Sequence, residues 1–193
     1  VDAKAVNMAK DTIEKAIKKA SGEDDEGVRY EEVRYEGYGP GGVAIIVDVL
    51  TDNVNRTAPE MRKLFENGNG NLAKPGSVAF GFESTGVILI EESEASEDQL
   101  MEVALDAGAS DIIQGEWGWE VTCDPVEFLT LRQAIEVAGM NMLSAQVTLV
   151  PANLIACDIE LGAKVFKLLE SIDDHEDVQK VYSNGDIPEG AME

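Results

Sequence analysis

Residues 152–193 of this 193-residue chain carry one amphipathic helix, one strand and little else. The helix is predicted over about 158–172, with Leu161, Val165, Leu168, Leu169 and Ile172 on one face, and the strand is "DVQKVYSN" (177–184). A domain needs two packed layers around a core, and a lone helix and strand cannot supply them. The tail must therefore complete something that begins earlier, so the fold is discontinuous. What lies between reads β-α-β-β-α-β, the order of the ferredoxin-like split βαβ unit. Its strands are "GVILIEE", "SDIIQGE", "WEVTCD" and "LSAQVTLVP" (143–151). Ser96 and Gln99 make a capping box for the first helix, and Asp124, Pro125 and Glu127 open the second. Alternation places Trp119 inward with Val121 and Cys123.

The earlier part of the discontinuous fold has its own signals. "VRYEEVRYE" (28–36) and "VAIIVDVLT" (43–51) read as strands, the second nearly continuous in apolar character and so buried. Thr57 and Glu60 read as a T-x-x-E capping box opening a helix, with Pro59 in its first turn, Met61, Leu64 and Phe65 inward, and Gly68 as stop. "GSVAFGF" (76–82) reads as a further strand. Ahead of all this, "VNMAKDTIEKAIKKASGE" has helical periodicity behind Asn7. One short helix cannot bury its own stripe, so residues 1–22 read as the last helix of an N-terminal helical domain, and "SGEDDEG" (21–27) as a linker. The expected class is α+β. Two α/β sandwich domains are nested, a discontinuous one (28–84 and 152–185) and an inserted ferredoxin-like one (85–151), with the helical remnant before them.

Charge narrows the function. There are 38 acids and 15 bases, a formal −23. Residues 1–20 hold five lysines against three acids, which leaves −25 for the rest. Such a surface repels phosphate backbones and anionic membranes. No run of about 18 apolar residues is present to span a bilayer. Cys123 and Cys157 are far apart, which suits reduced thiols in a cytoplasmic protein, and His175 alone cannot make a zinc site with them. The acidic runs 91–94 and 173–177 read as solvated surface rather than as a cation site. No nucleophile–base–acid set stands out, so the expectation is no enzyme, no cofactor and no metal.

"EGYGPGG" contains Gly37-x-Gly39-x-x-Gly42, the spacing of a dinucleotide-binding fingerprint. That site needs a helix N-terminus after the glycines, whose free N–H groups hold the pyrophosphate. Here a β-branched strand follows, and Glu36 adjoins the loop. The glycines therefore read as a hairpin loop with positive φ angles, stiffened by Pro40.

"YEGYGPGGVAIIVDVLTDNVNRTAPEMRKLFENGNGNLAKPGSVAFGF" resembles the central segment of the YebC/PmpR family, which includes the mitochondrial translational activator of cytochrome c oxidase. "MAKDTIEKAIKKASGE", "ALDAGASDI", "AQVTLVPAN" and "DDHEDVQKVYSNGDI" extend the resemblance along the chain. It implies a basic helical N-terminal domain followed by two nested α/β domains. Most of the basic domain, with its "GHSKW"-like start, is expected upstream of Val1. The chain departs from the family at Asn69, where a glycine is common, and at Ala9, where a proline is common. The implied function is regulation of gene expression, either as a DNA-binding transcriptional regulator or as a ribosome-associated translation factor. Nucleic acid, DNA or ribosomal RNA, would then be met mainly through the basic domain.

Within this chain the candidate contacts are few. Lys15, Lys18 and Lys19 are either contacts or a solvated helix face, and Arg62 and Lys63 flank the second helix. The loops holding Gly37, Tyr38, Gly39, Pro40, Gly41 and Gly42, then Asn53, Asn55, Arg56 and Thr57, then Asn69 and Asn71 are expected to share one surface. Arg56 is either part of it or a structural loop residue. Trp117, in "GEWGW", is either a hairpin aromatic or a contact. A further reading is an acidic protein-interaction module that docks on a basic partner such as a ribosomal protein.

Overall fold

The structure is a computed structural model and describes residues 29–115 and 118–192. Lys15, Lys18, Lys19, the first helix, the linker and Trp117 lie outside them. The described residues form two compact units, one of residues 84–149 and one of residues 29–83 with 150–192. The class is α+β, with four helices and two four-stranded sheets among the described residues.

In the discontinuous unit β1 (Glu31–Tyr38) and β2 (Ala44–Thr51) form an antiparallel hairpin. β3 (Asn71–Leu72) adds to β1, and β9 (Val178–Ser183) adds to β2, giving the order β3-β1-β2-β9. β2 is central and largely buried, as its apolar run predicts, with only Asp48 and Leu50 half-buried. Val43, Ile45, Val47 and Val49 point to one face by the two-residue repeat of a strand. There they meet Met61 and Phe65 of α1 (Val54–Asn67) and Val165, Leu168 and Ile172 of α4 (Ile159–Asp173). α4 starts where the sequence places it, with Asp158 accepting from the Leu161 N–H at 2.8 Å. A short parallel pair, β8 (Ile155–Ala156) with β10 (Gly185–Asp186), ties the segments either side of α4.

The unit of residues 84–149 has β4 (Phe82–Ile90), α2 (Glu97–Asp106), β5 (Ala109–Gly115), β6 (Gly118–Cys123), α3 (Phe128–Val137) and β7 (Met142–Pro151). Its sheet order, β5-β6-β4-β7, is that of a ferredoxin-like split βαβ unit. Ile88, Ile90, Trp119, Val121 and Cys123 face Leu100, Ala104, Leu131 and Ile135. Trp119 also donates its indole N–H to the Ala95 carbonyl at 3.0 Å. The Ser96–Gln99 capping box is present.

Three local expectations change. α1 begins at Val54, capped by Asn53, whose side chain accepts from the Arg56 N–H at 3.2 Å. Thr57 is therefore inside the helix, and its hydroxyl is used elsewhere. Pro59 then lies beyond the first turn; the carbonyl it leaves without a partner belongs to exposed Asn55, where water can serve it. α3 begins at Phe128, because Asp124 to Glu127 form a turn closed by Glu127 N–H to Asp124 O at 3.0 Å. Residues 76–81 are a loop rather than a strand, and a single long strand starts at Phe82. Glu36 explains that loop. Its buried carboxylate accepts from the N–H groups of Gly76, Val78 and Ala79 at 2.7–2.9 Å, which removes them from any ladder. Phe80, next along, is left 86% exposed.

Candidate nucleic-acid interface

The three loops expected to share one surface do not. α1 has 14 residues, so its ends are about 20 Å apart at 1.5 Å per residue. Asn53, Asn55, Arg56 and Thr57 lie at its start, and Asn69 and Asn71 just past its end. The loop after β1 is at the second end only.

The first end is a closed polar cluster. Arg56 Nη2 is 2.8 Å from Oδ2 of Asp177 and 3.0 Å from Oδ1 of Asp52. Thr57 donates its hydroxyl to Asp177 Oδ2 at 2.8 Å, and its oxygen lies 2.8 Å from that of Thr51. Asp177 is 2% exposed. Burial alone pushes its carboxyl up, but the donations from Arg56, Thr57 and Thr51 outweigh this and hold it below the ordinary aspartate range. His175 accepts from the Asp177 N–H through Nδ1 at 3.2 Å. Its proton is thereby assigned to Nε2, 3.0 Å from Glu60. Arg56 thus carries a structural load, and its charge is already matched. Of the sequence's two readings of Arg56, the geometry favours the structural one.

The second end is where the glycines work. Gly37, Gly39 and Pro40 are buried, and Gly41 and Gly42 are exposed. A Cβ at Gly37 would strike the Phe65 ring and the Asn71 carbonyl, and one at Gly70 would strike the Tyr38 carbonyl. The glycines therefore let the loop after β1, the end of α1 and β3 approach backbone to backbone. Gly41 and Gly42 take φ of 70° and 78° around a 3-10 turn closed by Gly42 N–H to Gly39 O at 3.2 Å. Tyr38 is half-buried and donates to the Ser77 carbonyl at 3.1 Å. No helix follows the loop, so no helix N-terminus is there to hold a phosphate, as the sequence indicates.

Beside this end a groove of about 350 Å3 runs between the last turns of α1 and the stretch of α4 from Lys164 to Ser171. Lys164 and Lys167 line it with Asn67 and Asn69, over Leu64 and Leu168. Neither lysine was singled out from the sequence, where this helix is read only for its inward face of Leu161, Val165, Leu168, Leu169 and Ile172. Their spacing of three, which places them side by side on α4, was the available signal. Arg62 and Lys63 are exposed on α1 but are not among the residues lining the groove.

Cations are sorted between the units. Nine of the ten Lys and Arg among the described residues belong to the discontinuous unit. Residues 84–149 carry thirteen Asp and Glu against Arg132 alone. Burial, helped by nearby carboxylates, raises the Cys123 and Cys157 thiols above their ordinary range. Among the described residues no three His, Cys, Asp or Glu are grouped to hold a metal. No described helix is long and apolar enough to cross a membrane.

Comparison with known proteins agrees along the chain. Residues 30–185 match the model of the TACO1/YebC second and third domain. A probable transcriptional regulatory protein of Solidesulfovibrio magneticus is 50% identical over 187 residues, which are 97% of this chain and 76% of that relative. One from Clostridium beijerinckii is 51% identical over 189 residues, again 97% and 76%. The crystal structure of a conserved hypothetical protein from Aquifex aeolicus matches with a TM-score of 0.78 and 42% identity, over 97% of this chain and 77% of that one.

Proposed function

This chain belongs to the TACO1/YebC family, and from that premise we propose that it is a regulator of gene expression that works in the cytoplasm on nucleic acid, through its discontinuous unit. Relatives at about half identity bear the name probable transcriptional regulatory protein, which supports regulation. The carrying observation within the chain is the sorting of cations. Affinity for nucleic acid comes from Lys and Arg neutralising phosphates. The 84–149 unit has one such residue, and the discontinuous unit has nine. Its unpaired cations are few, so binding to naked duplex DNA is weak and salt-sensitive. Ribosomal RNA, held in place by further protein contacts, suits such a surface better than a lone duplex does.

A second reading is favoured by the same sorting. Thirteen carboxylates on the 84–149 unit make it a partner for a basic protein, with charge steering the encounter. The two readings combine naturally on a ribosome, where RNA and basic proteins lie side by side. The proposal includes no catalysis, consistent with raised thiol pKa values and a histidine engaged by Glu60 and the backbone.

Salt-titrated binding of the 193-residue chain to duplex DNA and to single-stranded RNA, alongside co-sedimentation with ribosomes, tests this reading. Ribosome association that is lost with salt is expected, with duplex DNA bound more weakly than about 10⁻⁶ M at physiological salt. Association with none of the three, even at low salt, would overturn it.

A further inference from the structure

We infer that the groove between α1 and α4 is a docking site for one phosphate-bearing unit of a single-stranded polynucleotide, an inference that rests on the nucleic-acid reading above. Charge comes first. None of the residues lining the groove is Asp or Glu, although the unit that contains it is acidic overall. Lys164 and Lys167 are three apart on α4, which puts their Cβ atoms about 5–6 Å apart on one face. Lys164 Nζ bonds Glu160 at 2.7 Å, but those side chains are 54% and 82% exposed. So exposed a pair is readily exchanged for a phosphate. Lys167 has no ammonium partner among the described residues. The groove thus offers two cations to an anion.

The C-terminus of α1 would ordinarily oppose an anion, because the last carbonyls carry the negative end of the helix dipole. Here three of the last four carbonyls are occupied. The N–H groups of Gly68, Asn69 and Gly70 donate to Leu64, Glu66 and Phe65 at 3.1, 3.1 and 2.8 Å. Asn69 makes this turn with φ of 58°, a left-handed conformation that asparagine tolerates better than most residues. Gly68 lets the turn sit on α4, since a Cβ there would lie 2.5 Å from Leu168 Cδ1. The wall that carries Asn67 and Asn69 is therefore fixed against the wall that carries the lysines.

The remaining chemistry suits a nucleotide. The carboxamides of Asn67 and Asn69 each offer donors and an acceptor, which match a base edge or a ribose hydroxyl. Leu64 and Leu168 give an apolar floor. A volume of about 350 Å3 is at the low end for small-ligand sites, enough for one nucleotide and too small for a duplex. No aromatic residue lines the groove, so binding is carried by phosphate contacts rather than by stacking and tolerates many sequences.

Fluorescence anisotropy of the 193-residue chain with a labelled U20 RNA, from 25 to 200 mM salt, reads this directly. Each lysine that meets a phosphate contributes about −0.7 to the slope of log K against log salt on a single strand. Lys164→Gln with Lys167→Gln should flatten the slope by about 1.4 and weaken binding about tenfold or more at 25 mM salt, with the thermal midpoint unchanged. Arg132→Gln, in the 84–149 unit and not among the residues lining the groove, should leave the slope as it is. An unchanged slope in the double variant overturns the groove assignment while leaving the nucleic-acid reading standing. Failure of the unaltered chain to bind U20 overturns the groove assignment, and failure to bind U20, duplex DNA and ribosomes alike overturns both. Inorganic phosphate or UMP that saturates the groove as tightly as U20 would mark a free-phosphate site and overturn the polynucleotide assignment.

Discussion

The guanidinium of Arg56 lies 2.8 Å from the buried carboxylate of Asp177, 121 residues further along the chain. This contact closes the discontinuous unit. It joins the first turn of α1 to the residue before β9, and Leu50 N–H reinforces it by donating to the Asp177 carbonyl at 2.8 Å. The segments on either side of residues 84–149 are therefore bonded directly to each other.

Asp177→Ala removes the acceptor of the cluster and leaves the Thr57 hydroxyl and the Arg56 guanidinium without their shared partner. A loss of about 3 kcal/mol is expected. Urea unfolding would read it as a lower midpoint with an unchanged slope.

Arg56→Gln separates the two readings that the sequence left open. A structural Arg56 lowers the unfolding midpoint and leaves the salt slope of RNA binding unaltered. A phosphate-binding Arg56 would flatten that slope with little change in stability.

Acid should act through Asp177 and Glu36 together. Burial pushes Glu36 up, but its three backbone donors outweigh this and hold it below the ordinary range, as Arg56, Thr57 and Thr51 do for Asp177. A carboxyl depressed in the folded state adds stability above its unfolded pKa, about 3.9 for Asp and 4.3 for Glu, and loses it as pH falls through the folded value. The thermal midpoint should therefore show little acid loss from these two groups above about pH 5 and fall steeply below pH 4. Asp177→Asn should reduce that fall. A wild-type midpoint that holds steady from pH 5 to pH 3 would contradict the assignment.

Alanine at the glycines tells packing from turn geometry. Gly37→Ala drives a methyl into Phe65 and should cost about 1–3 kcal/mol. Gly42→Ala meets nothing within 4 Å, so only its φ of 78° opposes it, at about 1–2 kcal/mol. Equal and negligible effects at both sites would mean that the glycines are kept for contact with a partner rather than for the fold.

Sequence reading succeeded where pattern and cap agree locally. β2 shows a nearly continuous apolar run, α2 has its capping box, and α4 follows Asp158 with a clear stripe. The tail's inability to stand alone pointed to a discontinuous fold. Reading failed where a distant group decides. Thr57 resembles a cap, but its hydroxyl is drawn to Asp177, 120 residues away. "GSVAF" has strand composition, but Glu36 takes its N–H groups from 40 residues upstream. The groove was invisible for a similar reason. Lys164 and Lys167 gain meaning only when α4 lies beside the end of α1, and Gly68 against Leu168 brings that about.

The division of labour between the units is tested most directly by amide chemical-shift mapping of the 193-residue chain during titration with U20 RNA at low salt. Shifts confined to residues 29–83 and 150–192, strongest around 67–71 and 164–171, are predicted, with residues 84–149 unmoved. Shifts centred in 84–149, or none anywhere, would contradict it.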